Sequence, residues 1–122
     1  MSIMDANLLF RDGSVALNAN ELTPTSKDFG GKDSSPLTYV VVVPAAPTGS
    51  TPTLDITIQE SDDDTNFRDT LSFEKIAARG KLFITGKLDG RYRRHTATLG
   101  GSTPNFGAVI IAQVIGGSDV HF

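Results

Sequence analysis

Two charged stretches carry the residue types from which binding sites are built. The first is Asp62-Asp63-Asp64-Thr65-Asn66. Asp62, Asp64 and Asn66 reproduce the first three oxygen-donor positions of a calcium loop. The pattern then fails, because Phe67 stands where such a loop needs glycine and Phe73 where it needs a bidentate glutamate. The stretch reads as an acidic solvent turn, with Ser61 and Asp64 spaced to cap one helical turn. The second stretch is Arg91-Tyr92-Arg93-Arg94-His95. Side chains alternate along a strand, so Arg91, Arg93 and His95 share one face and Tyr92 and Arg94 the other. Two guanidiniums and an imidazole in a row suit carboxylates, in a partner protein or on the acidic part of a neighbouring subunit. Charge reversal at Arg93 and Arg94 is expected to weaken such contacts and leave the isolated fold intact.

Catalytic constellations are missing. His95 and His121 have no ligand spacing, and there is no nucleophile elbow, phosphate loop or dinucleotide fingerprint. Glu60 and Glu74 are the remaining candidates for a carboxylate pair, but nothing in the sequence sets them about a cleft, so a glycosidase is set aside. The chain is expected to be no enzyme and to need no metal and no cofactor. Nucleic acid is a poor fit as partner, since net charge is −3 and Tyr92 is the one aromatic inside the basic stretch.

These residues need elements to position them. Leu54, Ile56 and Ile58 alternate with Asp55, Thr57 and Gln59, which is a half-buried strand running into the acidic turn. Leu37-Thr38-Tyr39-Val40-Val41-Val42-Val43 lies between Pro36 and Pro44, and its four valines predict a strand buried on both faces. Further strands are expected at Ser14–Asn18, Thr25–Phe29, Gly80–Thr85, Arg91–Leu99 and Asn105–Ile115. Thr70–Ile76 is ambiguous between strand and helical turn. Ala45–Thr53, with Pro47, Gly49 and Pro52, reads as a loop, and Gly100-Gly101-Ser102-Thr103-Pro104 as a turn. No internal repeat is expected. The tail Gly116–Phe122 is Gly-rich. About eight short strands and no long helix predict an all-β antiparallel sandwich, jelly-roll or immunoglobulin-like, and strand number favours the jelly roll. Residues 1–13 form an N-terminal arm and 14–122 the domain.

At 122 residues the chain holds one domain. It has no cysteine, which excludes disulfides and thiolate metal sites. The N-terminus lacks the pattern of a signal peptide, and the aliphatic runs fall far short of a membrane span, so synthesis in the cytoplasm and no membrane partner are expected. Charge is unevenly divided. Residues 1–67 hold three Lys or Arg against ten Asp or Glu, and residues 68–122 hold eight against four. Acidic and basic surfaces can then meet, within one subunit or between neighbours.

Several stretches together resemble the small capsid cement (decoration) proteins of tailed bacteriophages, of the Bordetella podophage type. They are Asp5-x-Asn7-Leu8-x-Phe10-x-Asp12, Ser26-x-Asp28-x-Gly30, Leu54-x-Ile56-x-Ile58-Gln59-x-Ser61-Asp62-Asp63-x-x-x-Phe67, Arg91–Arg94, and Gly100–Pro104 leading into Gly107-x-Val109-Ile110-x-Ala112. Arg68–Ile76 falls outside the resemblance. The resemblance implies a jelly-roll homotrimer on the outer capsid surface of the virion, clamping neighbouring major capsid subunits, without enzymatic activity. Contact residues are then expected at Asp5, Asn7, Leu8 and Phe10, at Asp62, Asp63 and Asp64, and at Arg91, Arg93, Arg94 and His95. A phage surface glycan-binding jelly-roll module and a tail or connector structural β-domain are the alternatives.

Overall fold

A computed structural model describes residues 9–114. Eight strands follow one another: β1 (Leu9–Asp12), β2 (Lys27–Asp28), β3 (Leu37–Val43), β4 (Thr48–Ser61), β5 (Arg68–Ser72), β6 (Gly80–Gly86), β7 (Tyr92–Asn105) and β8 (Ile110–Gln113). No helix occurs among the described residues. Two four-stranded antiparallel sheets result. Sheet A has the order β1-β8-β3-β6 and sheet B the order β2-β7-β4-β5. This is an all-β sandwich.

The core lies between the sheets and follows the alternation of the strands. Tyr39, Val41 and Val43 of β3 and Ile111 of β8 face Leu54, Ile56 and Ile58 of β4 and Ala97 of β7. The valine run is buried on both faces, as its composition predicts. Val41 and Val43 enter this core, while Val40 joins a second cluster with Ala112 and Val114. Arg68–Ser72 resolves the ambiguous segment as a strand, and an isolated bridge follows where Ile76 pairs with Leu54.

Other expectations are corrected. Ser14–Asn18 forms no strand, because only Leu17 is anchored, by main-chain bonds to Gly107 and Phe106, while Val15 stays 67% exposed. Asn105–Ile115 is not one strand, since Phe106–Val109 turns the chain between β7 and β8. Within the expected arm, Leu9–Asp12 forms an edge strand paired with β8, so this part of the arm packs on its own domain.

The largest correction concerns the expected loop Ala45–Thr53 and the expected turn Gly100–Pro104. Ala45–Pro47 remain a loop, but Thr48–Thr53 and Gly100–Pro104 extend strands, so β4 and β7 both reach 14 residues and pair from Thr48↔Asn105 to Ser61↔Tyr92. The reason is a repeat. Gly49-Ser50-Thr51-Pro52 recurs as Gly101-Ser102-Thr103-Pro104, and the two copies lie antiparallel against each other. Both prolines fall where the register shifts, so neither has to donate to the ladder. Thr51 and Thr103 take the same left-handed φ of 47°, and each hydroxyl bonds the preceding carbonyl at 2.8 Å. A Cβ on Gly101 would lie 2.5 Å from the Thr51 carbonyl oxygen, and one on Gly49 2.7 Å from that of Thr103. The two glycines therefore let the two backbones approach.

Candidate interaction surface

The β4–β7 register brings both charged stretches to one end of sheet B. Ser61, before the acidic turn, pairs with Tyr92, and Glu60 pairs with Arg93. Asp28 of β2 also pairs with Tyr92. The acidic turn and the basic stretch are neighbours here without being ion-pair partners of each other.

Arg91 precedes β7 and points to solvent, where it grips Asp28 with two bonds of 2.8 and 2.7 Å. Those bonds and the Gly30 amide hold the Asp28 carboxyl down at about 2, and the same pairing pushes the Arg91 guanidinium up. Arg93, two residues on, is fully buried and paired with Asp33 at 2.8 Å. It also donates to the Gly90 carbonyl at 3.0 Å, the Gly31 carbonyl at 3.1 Å and the Tyr39 hydroxyl at 3.2 Å, and it lies 4.5 Å from the Phe29 ring centre. Asp33 accepts in turn from the Leu88 amide at 3.0 Å. Burial raises the Tyr39 phenol. This network ties the segments around Gly31 and Gly90 to the ends of both sheets.

His95 is also inside. Its Nε2 lies 2.7 Å from Glu21, which takes a forked contact from Arg11 of β1. Arg11 bonds the Val109 carbonyl as well, at 2.9 Å. Burial lowers the His95 imidazole, outweighing the pull of Glu21 in the other direction. Burial also pushes the Glu21 carboxyl up, but the bonds from Arg11 and His95 bring it below the usual range. A cleft of about 450 Å³ opens beside this trio, lined also by Phe10, Asp12 and Lys27. The trio links β1 in sheet A to β7 in sheet B.

Arg94 lies on the outer face of sheet B, half-buried. It donates to Gln59 at 2.8 Å and lies 3.9 Å from the Phe67 ring centre. In the acidic turn Asp63 is the organiser. It accepts from the Thr65 and Asn66 amides at 2.9 Å each and from the Ser61 hydroxyl at 2.8 Å, and the two amides above all hold its carboxyl well below the usual range. The expected cap uses Asp63 rather than Asp64, and it closes a turn instead of starting a helix. Asp64, with φ of 62°, accepts from Ser26, and Asp62 pairs with Arg68 at 3.5 Å. Among the described residues no group of three or more His, Cys, Asp or Glu could hold a metal ion.

Of the predicted contact residues, Asp62, Asp64 and Arg91 are exposed and Arg94 is half-buried. Asp63 is exposed too, but its oxygens serve the turn. Arg93 and His95 face the interior, so the expectation that charge reversal at Arg93 spares the fold is overturned. A carboxylate placed there would meet Asp33 in a buried site. Phe10 packs on Phe29 and Tyr39, with ring centres 6.0 and 6.1 Å away. Asp5, Asn7 and Leu8 lie outside the described residues. The carboxylates that meet the basic stretch come from the same chain, at Glu21, Asp28 and Asp33.

Sequence reasoning missed Glu21 and Asp33, and it weighed Glu60 only beside Glu74, not as the buried partner of Arg68. For Glu60 a signal existed: it continues the alternation Leu54, Ile56, Ile58. The face of Arg93 and His95 likewise continues into Ala97 and Leu99, which marks it as inward. Neither a scan against protein-family models nor a search of curated proteins finds a match to this chain.

Proposed function

We propose that this protein is a bacteriophage capsid cement protein, a jelly-roll subunit that trimerises on the outer capsid surface and clamps neighbouring major capsid subunits. The observation that carries the reading is the strand order, added to the resemblance of the sequence to that family. Sheets ordered 1-8-3-6 and 2-7-4-5 contain the pairs β1–β8, β2–β7, β3–β6 and β4–β5. Those are the four pairs of one long antiparallel ribbon rolled into two sheets, as in a jelly roll.

The contact surface on this reading is the loop end of sheet B, with Asp62, Asp64, Arg91 and Arg94, and the predicted contact residues Asp5, Asn7 and Leu8 belong to the same reading. Arg93, His95 and Asp63 position this surface from behind. Each exposed ion pair contributes little by itself. Three linked subunits engaging together multiply weak contacts into stable attachment. Arg91→Glu combined with Arg94→Glu should abolish co-sedimentation with capsids that lack the protein, while the circular dichroism spectrum stays unchanged. Light scattering should give three times the chain mass. Undiminished co-sedimentation would overturn the contact surface, and a monomer at high concentration would overturn the trimer.

A further inference from the structure

The cleft of about 450 Å³ beside Arg11, Glu21 and His95 shares none of Asp62, Asp64, Arg91 and Arg94. Its volume falls within the range of ligand sites. Exposure decides which charges a visitor meets there. Arg11 is 7% exposed and spends Nε and Nη2 on Glu21 and Nη1 on the Val109 carbonyl. His95 is 4% exposed, and its Nε2 is taken by the same carboxylate. Glu21 is 30% exposed, and its Oε2 meets the Arg11 guanidinium alone, so the carboxylate keeps acceptor capacity. Asp12 is exposed and uses Oδ1 for the Ser14 amide at 2.9 Å. The one other cation of the lining is Lys27, which is half-buried. Two accessible carboxylates thus stand against one ammonium. The walls are apolar, at Phe10, Val15 and Pro24. Three large hydrophobics are exposed among the described residues, Val15 at 67%, Leu22 at 53% and Phe83 at 51%. Two of them belong here, since Val15 lines the cleft and Leu22 lies in the chain between the lining residues Glu21 and Pro24. Exposed apolar side chains grouped about a cleft mark a binding surface.

We propose that this cleft receives an arginine side chain of a partner protein, with the aliphatic stem along Phe10, Val15 and Pro24 and the guanidinium at Glu21 and Asp12. A long cationic side chain covers apolar surface with its stem and carries its charge beyond it, which matches an apolar wall with carboxylates at the end. A guanidinium has five donors in a planar fork and can serve two carboxylates at once, in charge-assisted bonds. Both acids are ionised at neutral pH. Glu21 is also held in place, because the forked contact from Arg11 and the contact to His95 fix its orientation before anything binds. The apolar surface argues for a protein rather than a free cation. A short alkylguanidinium fills the cleft and leaves Leu22 and the outer side of Val15 in water, whereas residues flanking an arginine cover them. This contact is separate from the surface of the capsid reading and does not rest on it.

The chain has two histidines, and His95 touches Glu21, so its imidazole resonances report on the cleft by NMR. In the full chain at constant ionic strength, n-butylguanidinium should shift them saturably, and butyrate and butanol should not. The peptide acetyl-Leu-Arg-Leu-amide should bind about tenfold more tightly than n-butylguanidinium, because its leucines bury apolar surface as well. Val15→Lys alters an exposed position and should weaken both by about tenfold or more, through like charge at the wall. Lys27→Gln removes the one competing accessible cation and should strengthen both by about threefold. Absence of a shift in the unaltered chain overturns the proposal, and so does undiminished binding to Val15→Lys. An equal response to butyrate overturns the assignment of a cation. A peptide that binds no better than n-butylguanidinium overturns the assignment of a protein partner.

Discussion

Arg91 and Arg93 stand two residues apart, and each is paired with an aspartate, Asp28 at the end of β2 or Asp33 in the loop that follows. The chemistry is the same and the physical consequences are not. Arg91 and Asp28 are about half exposed, at 51% and 44%, and water competes for both. Arg93 is at 0% and Asp33 at 7%, so neither charge can turn to water once the other is gone. A strand's alternation alone would put the two arginines on one face. Arg91, however, lies one residue before β7 begins, at a bend, and is released from that alternation. The difference teaches that a row of basic residues is divided by the end of its strand, into a framework part and a displayed part.

The largest effect should come from breaking the buried pair. Arg93→Ala or Asp33→Ala leaves an uncompensated interior charge and should destabilise by about 3–5 kcal/mol, read as a drop in the urea midpoint at unchanged slope. Removing both charges together should cost less than the sum of the two single changes. Next come the paired Gly-Ser-Thr-Pro segments. Gly101→Ala meets a backbone oxygen and a φ of 95°, and should cost more than about 1 kcal/mol. By contrast, Thr51→Gly should relieve left-handed strain of about 1 kcal/mol and raise the melting temperature.

Titration separates the two environments further. The His95 imidazole is lowered on folding, so the unfolded chain takes up the proton first and stability falls as pH drops below the unfolded value near 6.5. His95→Gln should flatten that part of the stability profile. The Asp28 carboxyl, held at about 2, contributes stability that is present above its unfolded value near 4 and is lost between about 4 and 2. Asp28→Asn should change the profile only in that lower window. The smallest effect on stability is expected for Arg91→Ala, which should leave the urea midpoint within the scatter of ordinary surface substitutions.

Much of the framework was legible. Leu37–Val43 announced both its bounds and its two-sided burial, because proline ends a strand and four β-branched residues in a row leave no polar face. Leu54–Ile58 announced a strand, but its length was hidden. Pro52 and Pro104 argue against pairing when each is read alone. Only the repeat of Gly-Ser-Thr-Pro shows that each proline can sit in a bulge opposite the other copy. The site was less legible, because ion pairing depends on which loops meet. Nothing local to Asp33 or Glu21 tells that they will close over Arg93 and His95, some 60 and 74 positions away in sequence. Alternation did carry the inward direction of Arg93, through Ala97 and Leu99, although a basic side chain is ordinarily displayed to solvent.

The proposed function is tested most directly by cryo-electron microscopy of the phage particle that carries this protein. The account predicts three copies of the two-sheet fold about each occupied three-fold position on the outer shell, with the Asp62–Asp64 turn and Arg91 against coat protein. Density for the protein in the tail or connector, or none on the outer shell, would contradict it.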